Sequence, residues 1–261
     1  MLKEFNLSGR TVLIVGAGRG IGAGVAEVFL ESGASVAVNA LSDKHALPFV
    51  AELQRQYGQG VCSIIADATS SEGARQIAAE CRAKLGSIDI LVNAVGDAIG
   101  GSLVPVPGTG EPAHTDEEIE LILDLNLRSA INCIRATADE MIARRSGKII
   151  NIASSSALRG LPSRSVYAAA KMGIAGLTRS LAREWAAFHM TVNAIAPGVF
   201  PDRRAGNSSR IEELERRYVP DIPLGRLGGL RDVGLLALFL ASAAGDYMTG
   251  QVIALDGGLS A

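Results

Sequence analysis

Short, almost wholly apolar runs rich in β-branched residues alternate along this chain with longer, alanine-rich stretches of helical periodicity. Thr11–Val15 reads as a strand buried on both faces, followed by a helix over Gly20–Ser32. The rhythm repeats: strand Ser35–Asn39 with a helix near Leu47–Tyr57, strand Val61–Ala66 with helix Ser71–Leu85, and strand Ile88–Asn93. A long helical stretch, Thr115–Arg145, then precedes strand Lys148–Ala153, helix Val166–Phe188, strand Thr191–Ile195, helix Arg231–Ala241 and strand Val252–Leu255. A helix between two strands makes the crossover that parallel pairing needs, and strands without a polar face must be covered on both sides. The expected class is α/β: a doubly wound parallel sheet with helices on both faces. With 261 residues, 48% of them hydrophobic, and no repeat, low-complexity tract or linker, the chain suits one domain over 1–261.

Charge and cysteine content exclude several functions. The formal net charge is -2 with no basic stripe, so no nucleic-acid partner is expected. No apolar run is long enough to span a bilayer, and Met1–Arg10 has no apolar signal core. Cys62, Cys81 and Cys133 are scattered in apolar surroundings without a CxxC, which reads as buried thiols in a reducing compartment. The expectation is a cytoplasmic protein with no membrane partner. His45, His114 and His189 lack ligand spacing, so no metal site is expected.

Two local patterns carry chemistry. The first strand runs into Val15-Gly16-Ala17-Gly18-Arg19-Gly20-Ile21-Gly22 and then a helix. Glycines there permit a tight turn and close approach of a pyrophosphate to the helix N-terminus, whose free N–H groups attract anions. The second pattern is Tyr167-Ala168-Ala169-Ala170-Lys171, which puts phenol and ammonium on one helix face. A cation beside a phenol lowers its pKa and fits it to exchange a proton with an alcohol or alkoxide. Two segments break the rhythm: the Gly- and Pro-rich Gly96–His114, and Phe200–Gly229, with Pro201, Pro220 and Pro223 around the charged helical piece Ser209–Tyr218. Long loops in compact domains are often lids or binding loops.

Together these motifs resemble the classical short-chain dehydrogenase/reductase family over essentially the whole chain, which implies a single-domain doubly wound Rossmann fold. Gly16-x-x-x-Gly20-x-Gly22 matches its glycine motif, and Asp67-Ala68 its adenine-contacting position after the third strand. Asn93-Ala94-Val95-Gly96 resembles its turn after the fourth strand, Pro197-Gly198-Val199 its turn beside the nicotinamide, and Asp256-Gly257-Gly258 its C-terminal signature. Asn126, Ser154, Tyr167 and Lys171 match its catalytic residues, with Ser155 as second choice for the serine. Three positions depart from the pattern: Val15 and Asp202 stand where threonine is usual, and Ala94 where asparagine is.

The resemblance implies an enzyme that interconverts a ketone and a secondary alcohol by hydride transfer with NADP or NAD. Residues about 1–150 would form the cofactor half and 151–261 the catalytic and substrate half, with a lid over 199–229. Tyr167 would be the general acid/base and Ser154 would donate to the substrate oxygen. Lys171 would lower the tyrosine pKa and hold the ribose, and Asn126 would hold a water linking Lys171 to solvent. Cofactor contacts would come from Gly16, Gly18, Arg19, Gly20, Ile21, Gly22, Ala40, Leu41, Asp67, Ala68, Asn93, Ala94, Gly96, Tyr167, Lys171, Pro197, Gly198 and Val199. NADP is favoured because Ala40 is not acidic and Arg19 is basic; Asp43 argues for NAD if its loop curls back.

Ser154, Ser156 and Tyr167 would meet the small-molecule carbonyl or alcohol substrate, with 3-oxoacyl, sugar and cyclic ketones all open. Arg203, Arg204 and Arg210 would either meet an anionic substrate or pair with Glu212, Glu213 and Glu215. The narrow Tyr167–Lys171 interval points away from enoyl reduction. The family implies a homotetramer, with Arg231–Ala241 and Val252–Leu255 apolar enough to form contacts. Two other readings are an NAD-linked alcohol dehydrogenase and a non-catalytic dinucleotide sensor.

Overall fold

The computed structural model describes residues 2–58, 60–108, 110, 112–205 and 208–261. Parts of both rhythm-breaking loops, residues 109, 111, 206 and 207, therefore lie outside the described residues. Among the described residues seven strands form one parallel sheet: β1 (Thr11–Val15), β2 (Ser35–Ala40), β3 (Val61–Ile65), β4 (Ile90–Asn93), β5 (Gly147–Ile152), β6 (Met190–Pro197) and β7 (Val252–Leu255). Their spatial order is β3-β2-β1-β4-β5-β6-β7. The order reverses between β1 and β4, which is where a doubly wound sheet opens a crevice beyond its carboxyl ends.

The helices are α1 (Gly20–Glu31), α2 (Asp43–Tyr57), α3 (Ser71–Leu85), α4 (Asp116–Leu123), α5 (Ser129–Ala143), α6 (Ser155–Arg159), α7 (Ser165–Trp185), α8 (Ser208–Tyr218) and α9 (Leu230–Ala241). Strand alternation sorts the core into two layers. Val12 and Ile14 pack with Val25, Phe29, Val233 and Leu240 on one face. Leu13 and Val15 pack with Ile77, Cys81, Ile134 and Met141 on the other. On the first face α1 and α9 approach closely where each carries a glycine. A Cβ on Gly24 would lie 2.6 Å from the Leu230 Cβ, and one on Gly234 would lie 2.7 Å from the Gly24 oxygen. Among the described residues no helix is long and apolar enough to cross a membrane.

The helical stretch read over Thr115–Arg145 is helical without a break over Asp116–Ala143, but it changes its winding within that span. Thr115 and Glu118 form a capping box at the start of α4, but Asp124–Arg128 makes a π turn before α5 begins. The Asn126 amide Nδ2 donates to the Ile122 oxygen at 2.9 Å, so a side chain occupies a carbonyl within the widened turn. Helical periodicity is blind to such a one-residue bulge. The short helix α6, directly after β5, was not foreseen either.

Candidate active site

A cleft of about 570 Å³ opens at the carboxyl ends of the strands. Gly16–Gly22 lines it after β1, Ala40–Ser42 after β2, Ala66–Thr69 after β3 and Ala94–Ala98 after β4. Ile152–Ser154 borders it at the end of β5 and Pro197–Gly198 at the end of β6. Tyr167 and Lys171 reach it from α7. One cavity thus joins the two chemical patterns that are about 150 positions apart in sequence.

The glycine turn is built for close approach. Gly16 has φ +82°, and a Cβ there would lie 2.7 Å from the Val95 nitrogen. A Cβ on Gly22 would lie 2.5 Å from the Gly16 oxygen. The turn therefore packs backbone on backbone, with the Gly16 and Ala17 N–H groups bonded to the Asn39 oxygen at 3.1 and 2.8 Å. Gly96 does the same beside α7: its Cβ would lie 2.6 Å from Asn126 Oδ1 and 2.8 Å from Lys171 Nζ. The Asn126 amide also donates to the Asp97 oxygen at 3.0 Å, while its buried Oδ1 has no partner among the described residues. The floor is held by a buried chain of polar groups. Asn93 Nδ2 donates to Asn151 Oδ1 at 2.9 Å, and Asn151 Nδ2 donates to Thr178 Oγ1 at 3.0 Å, tying β4 and β5 to α7.

Burial is the largest influence on the Tyr167 phenol and pushes its pKa above the ordinary value. The Ser154 hydroxyl beside it and the Arg164 guanidinium pull the other way, and Asp97 adds to the rise. Lys171 does not offset this. Its Nζ lies 5.9 Å from the tyrosine ring centre and donates to the Ile152 oxygen at 3.0 Å. Desolvation lowers its own pKa to about 8. Lys171 is not among the groups that set this direction, its ammonium being turned to a backbone carbonyl. Ser154 caps α6, accepting from the Ser156 N–H at 3.2 Å, and its hydroxyl is 2.9 Å from that of Ser156.

Three residues expected at the cofactor or substrate do not line the cleft. The Asn93 amide bonds Asn151 within the sheet, Ser156 is half-exposed with its hydroxyl 2.9 Å from that of Ser154, and Val199 borders a separate cavity of about 230 Å³. Asn126 sits behind Gly96 rather than on the cleft wall. Asp67 does line the cleft, with its Oδ1 accepting from the Thr69 N–H and hydroxyl. Sequence reasoning missed Ser42, His45, Thr69, Leu125 and Phe200, all on the wall. Thr69 follows directly on the Asp67 motif and was the one within reach of that signal. Arg203 pairs with Glu215 at 2.8 Å as one expectation had it, but Arg204 turns away from that helix to Glu27 and Asp202.

A glycine cradle at the switch point, joined through one cleft to a half-buried tyrosine and a buried lysine and serine, defines the class as a dinucleotide-dependent oxidoreductase. A family model described as enoyl-(acyl carrier protein) reductase matches residues 16–260. A 3-oxoacyl-(acyl-carrier-protein) reductase of Chlamydia muridarum is 33% identical over 255 residues, covering 97% of this chain and 98% of the relative. A 2,3-dihydroxy-2,3-dihydro-p-cumate dehydrogenase of Pseudomonas putida is 34% identical over 255 residues, covering 97% and 95%. A solved structure of Pseudomonas aeruginosa RhlG in an NADP active-site complex superposes with a TM-score of 0.89 at 32% identity, covering 100% of both chains. The chain belongs to the short-chain dehydrogenase/reductase family and interconverts a ketone and a secondary alcohol with NAD(P).

Proposed function

We propose that this enzyme works with NADP as its preferred cofactor and Tyr167 as its general acid/base. The convergence of Ser154, Tyr167 and Lys171 on the cleft that begins at the glycine turn carries this reading. When bound, the nicotinamide cofactor supplies or takes the hydride at the substrate carbon. Gly16, Gly18, Gly20, Ile21 and Gly22 would hold its diphosphate, Asp67 and Ala68 its adenine, and Ala94, Gly96, Pro197 and Gly198 its nicotinamide half. The Cβ-free cradle at Gly16, Gly22 and Gly96 fits such a group. Near the adenosine ribose, Arg19, Ala40, Leu41, Ser42 and His45 line the wall without a carboxylate, and Asp43 is not among them. That wall accepts a 2′-phosphate, and the relative solved with NADP supports the same choice.

The Ser154 hydroxyl donates to the substrate oxygen and is itself oriented by Ser156. A phenol kept protonated by burial gives its proton to that oxygen as negative charge develops. Lys171 resupplies the proton, and Asn126 Oδ1, a buried acceptor beside it, links the ammonium to solvent through water. The enoyl description of the matched model does not alter this, because Tyr167-x-x-x-Lys171 has the shorter interval. Substrate candidates are 3-oxoacyl thioesters, sugars and cyclic ketones, admitted under the segment 199–229 and beside the loop 96–114. The test is oxidation of NADPH and of NADH by purified protein against that panel; faster turnover with NADH overturns the cofactor choice.

Lys171 makes the pH dependence specific. Its folded-state pKa is about 8 against an ordinary 10.5, so the buried ammonium costs stability below pH 8. That cost is relieved as pH rises from about 8 to about 10.5, because the unfolded chain then holds the proton more tightly than the folded one. Proton resupply needs the ammonium, so reductive kcat/KM is expected to fall above pH about 8. A pH–rate profile checks it; a rate still level well above that pH removes Lys171 from the relay.

We also read the protein as a cytoplasmic homotetramer. The edge strand β7 is only partly covered, and α9 leaves Leu235 46% exposed. Light scattering is expected to return four chains per particle, and a monomeric mass overturns it.

A further inference from the structure

Helix α1 has no acidic residue in its first turn, and no side chain of its N-cap residue, Arg19, closes its end. The anion at this end comes instead from 182 positions away: Asp202 Oδ2 accepts the Gly20 N–H at 2.7 Å. The Asp202 side chain is only 16% exposed. Its second oxygen, Oδ1, accepts from Arg204 Nε at 3.0 Å and from the Arg204 backbone N–H at 3.1 Å, and Arg204 Nη2 reaches Oδ2 at 3.3 Å. Arg204 is held in turn by Glu27 of α1, with Nη1 to Oε1 at 2.6 Å, and lies 5.3 Å from the centre of the Phe49 ring on α2. The segment after β6 is therefore latched to the glycine cradle by a carboxylate and a guanidinium.

Gly20 lines the cleft that the proposed function gives to the cofactor diphosphate. Its N–H is a donor that diphosphate needs. A cap within α1 would hold that donor permanently, whereas a cap on a separate segment can leave. A carboxylate and a diphosphate cannot share one donor and one guanidinium without strong like-charge repulsion. We infer that Asp202 is a placeholder anion: the cofactor diphosphate displaces it from Gly20, and Arg204 becomes a diphosphate-binding residue. The exchange keeps an anion at the helix end throughout, a diphosphate of two negative charges taking the place of a carboxylate of one. It also couples cofactor entry to release of the segment that borders the substrate side.

This inference rests on the dinucleotide reading, and ADP-ribose tests both without turnover. It carries the diphosphate common to NADP and NAD, whereas adenosine 2′-monophosphate lacks it. Calorimetric titration of Asp202→Asn and Asp202→Thr is expected to show ADP-ribose bound roughly ten-fold more tightly than in the parent. Adenosine 2′-monophosphate should change by less than about two-fold, because no group in its site has altered. Adding Arg204→Ala to Asp202→Asn should cancel most of the gain, and Arg204→Lys should restore part of it. Unchanged or weaker ADP-ribose binding in both Asp202 variants overturns the placeholder while leaving the dinucleotide reading intact. Full affinity in the Asp202→Asn, Arg204→Ala double variant overturns the role of Arg204. No binding of ADP-ribose or of adenosine 2′-monophosphate by any form overturns the dinucleotide reading and the latch with it.

Discussion

Tyr167→Phe is expected to leave NADPH affinity within about three-fold while lowering turnover on the order of 10²–10⁴-fold. The substitution removes one oxygen and keeps the ring, so the packing of α7 against the cleft is preserved. The phenol is the acid that burial keeps protonated, and Ser154 can polarise a carbonyl but cannot replace that proton. Lys171 resupplies its proton through the phenol, so the relay ends where that oxygen is lost. Steady-state rates and an NADPH titration on the same preparation check the two halves separately. Near-normal turnover with intact binding would remove Tyr167 from the mechanism.

Gly16→Ala carries the second large effect, and it acts through the backbone. At φ +82° an alanine is strained wherever it stands, and here its Cβ would also lie 2.7 Å from the Val95 nitrogen and 2.9 Å from the Ala94 carbonyl carbon. Those atoms cannot retreat freely, because the Ala94 N–H is bonded to the Val15 oxygen at 2.8 Å and β4 is paired with β1 beside it. Strain and overpacking together are expected to cost about 2–5 kcal/mol of stability. The displaced turn continues into Gly96, against which Lys171 and Asn126 are set, so NADPH affinity should fall roughly a hundred-fold as well. Urea unfolding and NADPH titration measure the two losses. A loss below about 1 kcal/mol with unchanged affinity would show that the turn yields and that the close approach is not required.

Legibility in the sequence followed the range of the forces involved. Thr11–Val15, Ser71–Leu85 and Val252–Leu255 have the boundaries that periodicity and turn residues assign. Each is settled by local alternation and by burial that the element's own residues demand. The π turn at Asp124–Arg128 was invisible because it depends on one side chain, Asn126, bonding to Ile122 in its own helix and Asp97 in a distant loop. Asn93 looked like a cofactor contact because of its place after β4, yet the neighbouring strand supplies Asn151 and takes its amide. The bond between the Ser154 and Ser156 hydroxyls was equally hidden, because the short helix α6 that brings them together has no periodicity of its own to announce it.

What the chain determined by itself is the alternating α/β plan, the glycine turn and the tyrosine, lysine and serine that face the cleft. Those follow from side-chain periodicity, the absent Cβ and the i, i+4 spacing of Tyr167 and Lys171, all properties of neighbours in sequence. Tertiary structure alone decided how those groups are tuned and which are free to act. It buried Tyr167 and Lys171 so that desolvation, not their mutual attraction, dominates both proton affinities. It also carried Asp202 across 182 positions to the Gly20 N–H. Desolvation and anion placement depend on every element packed around a group, and a pattern of neighbours does not encode them until the sheet has assembled.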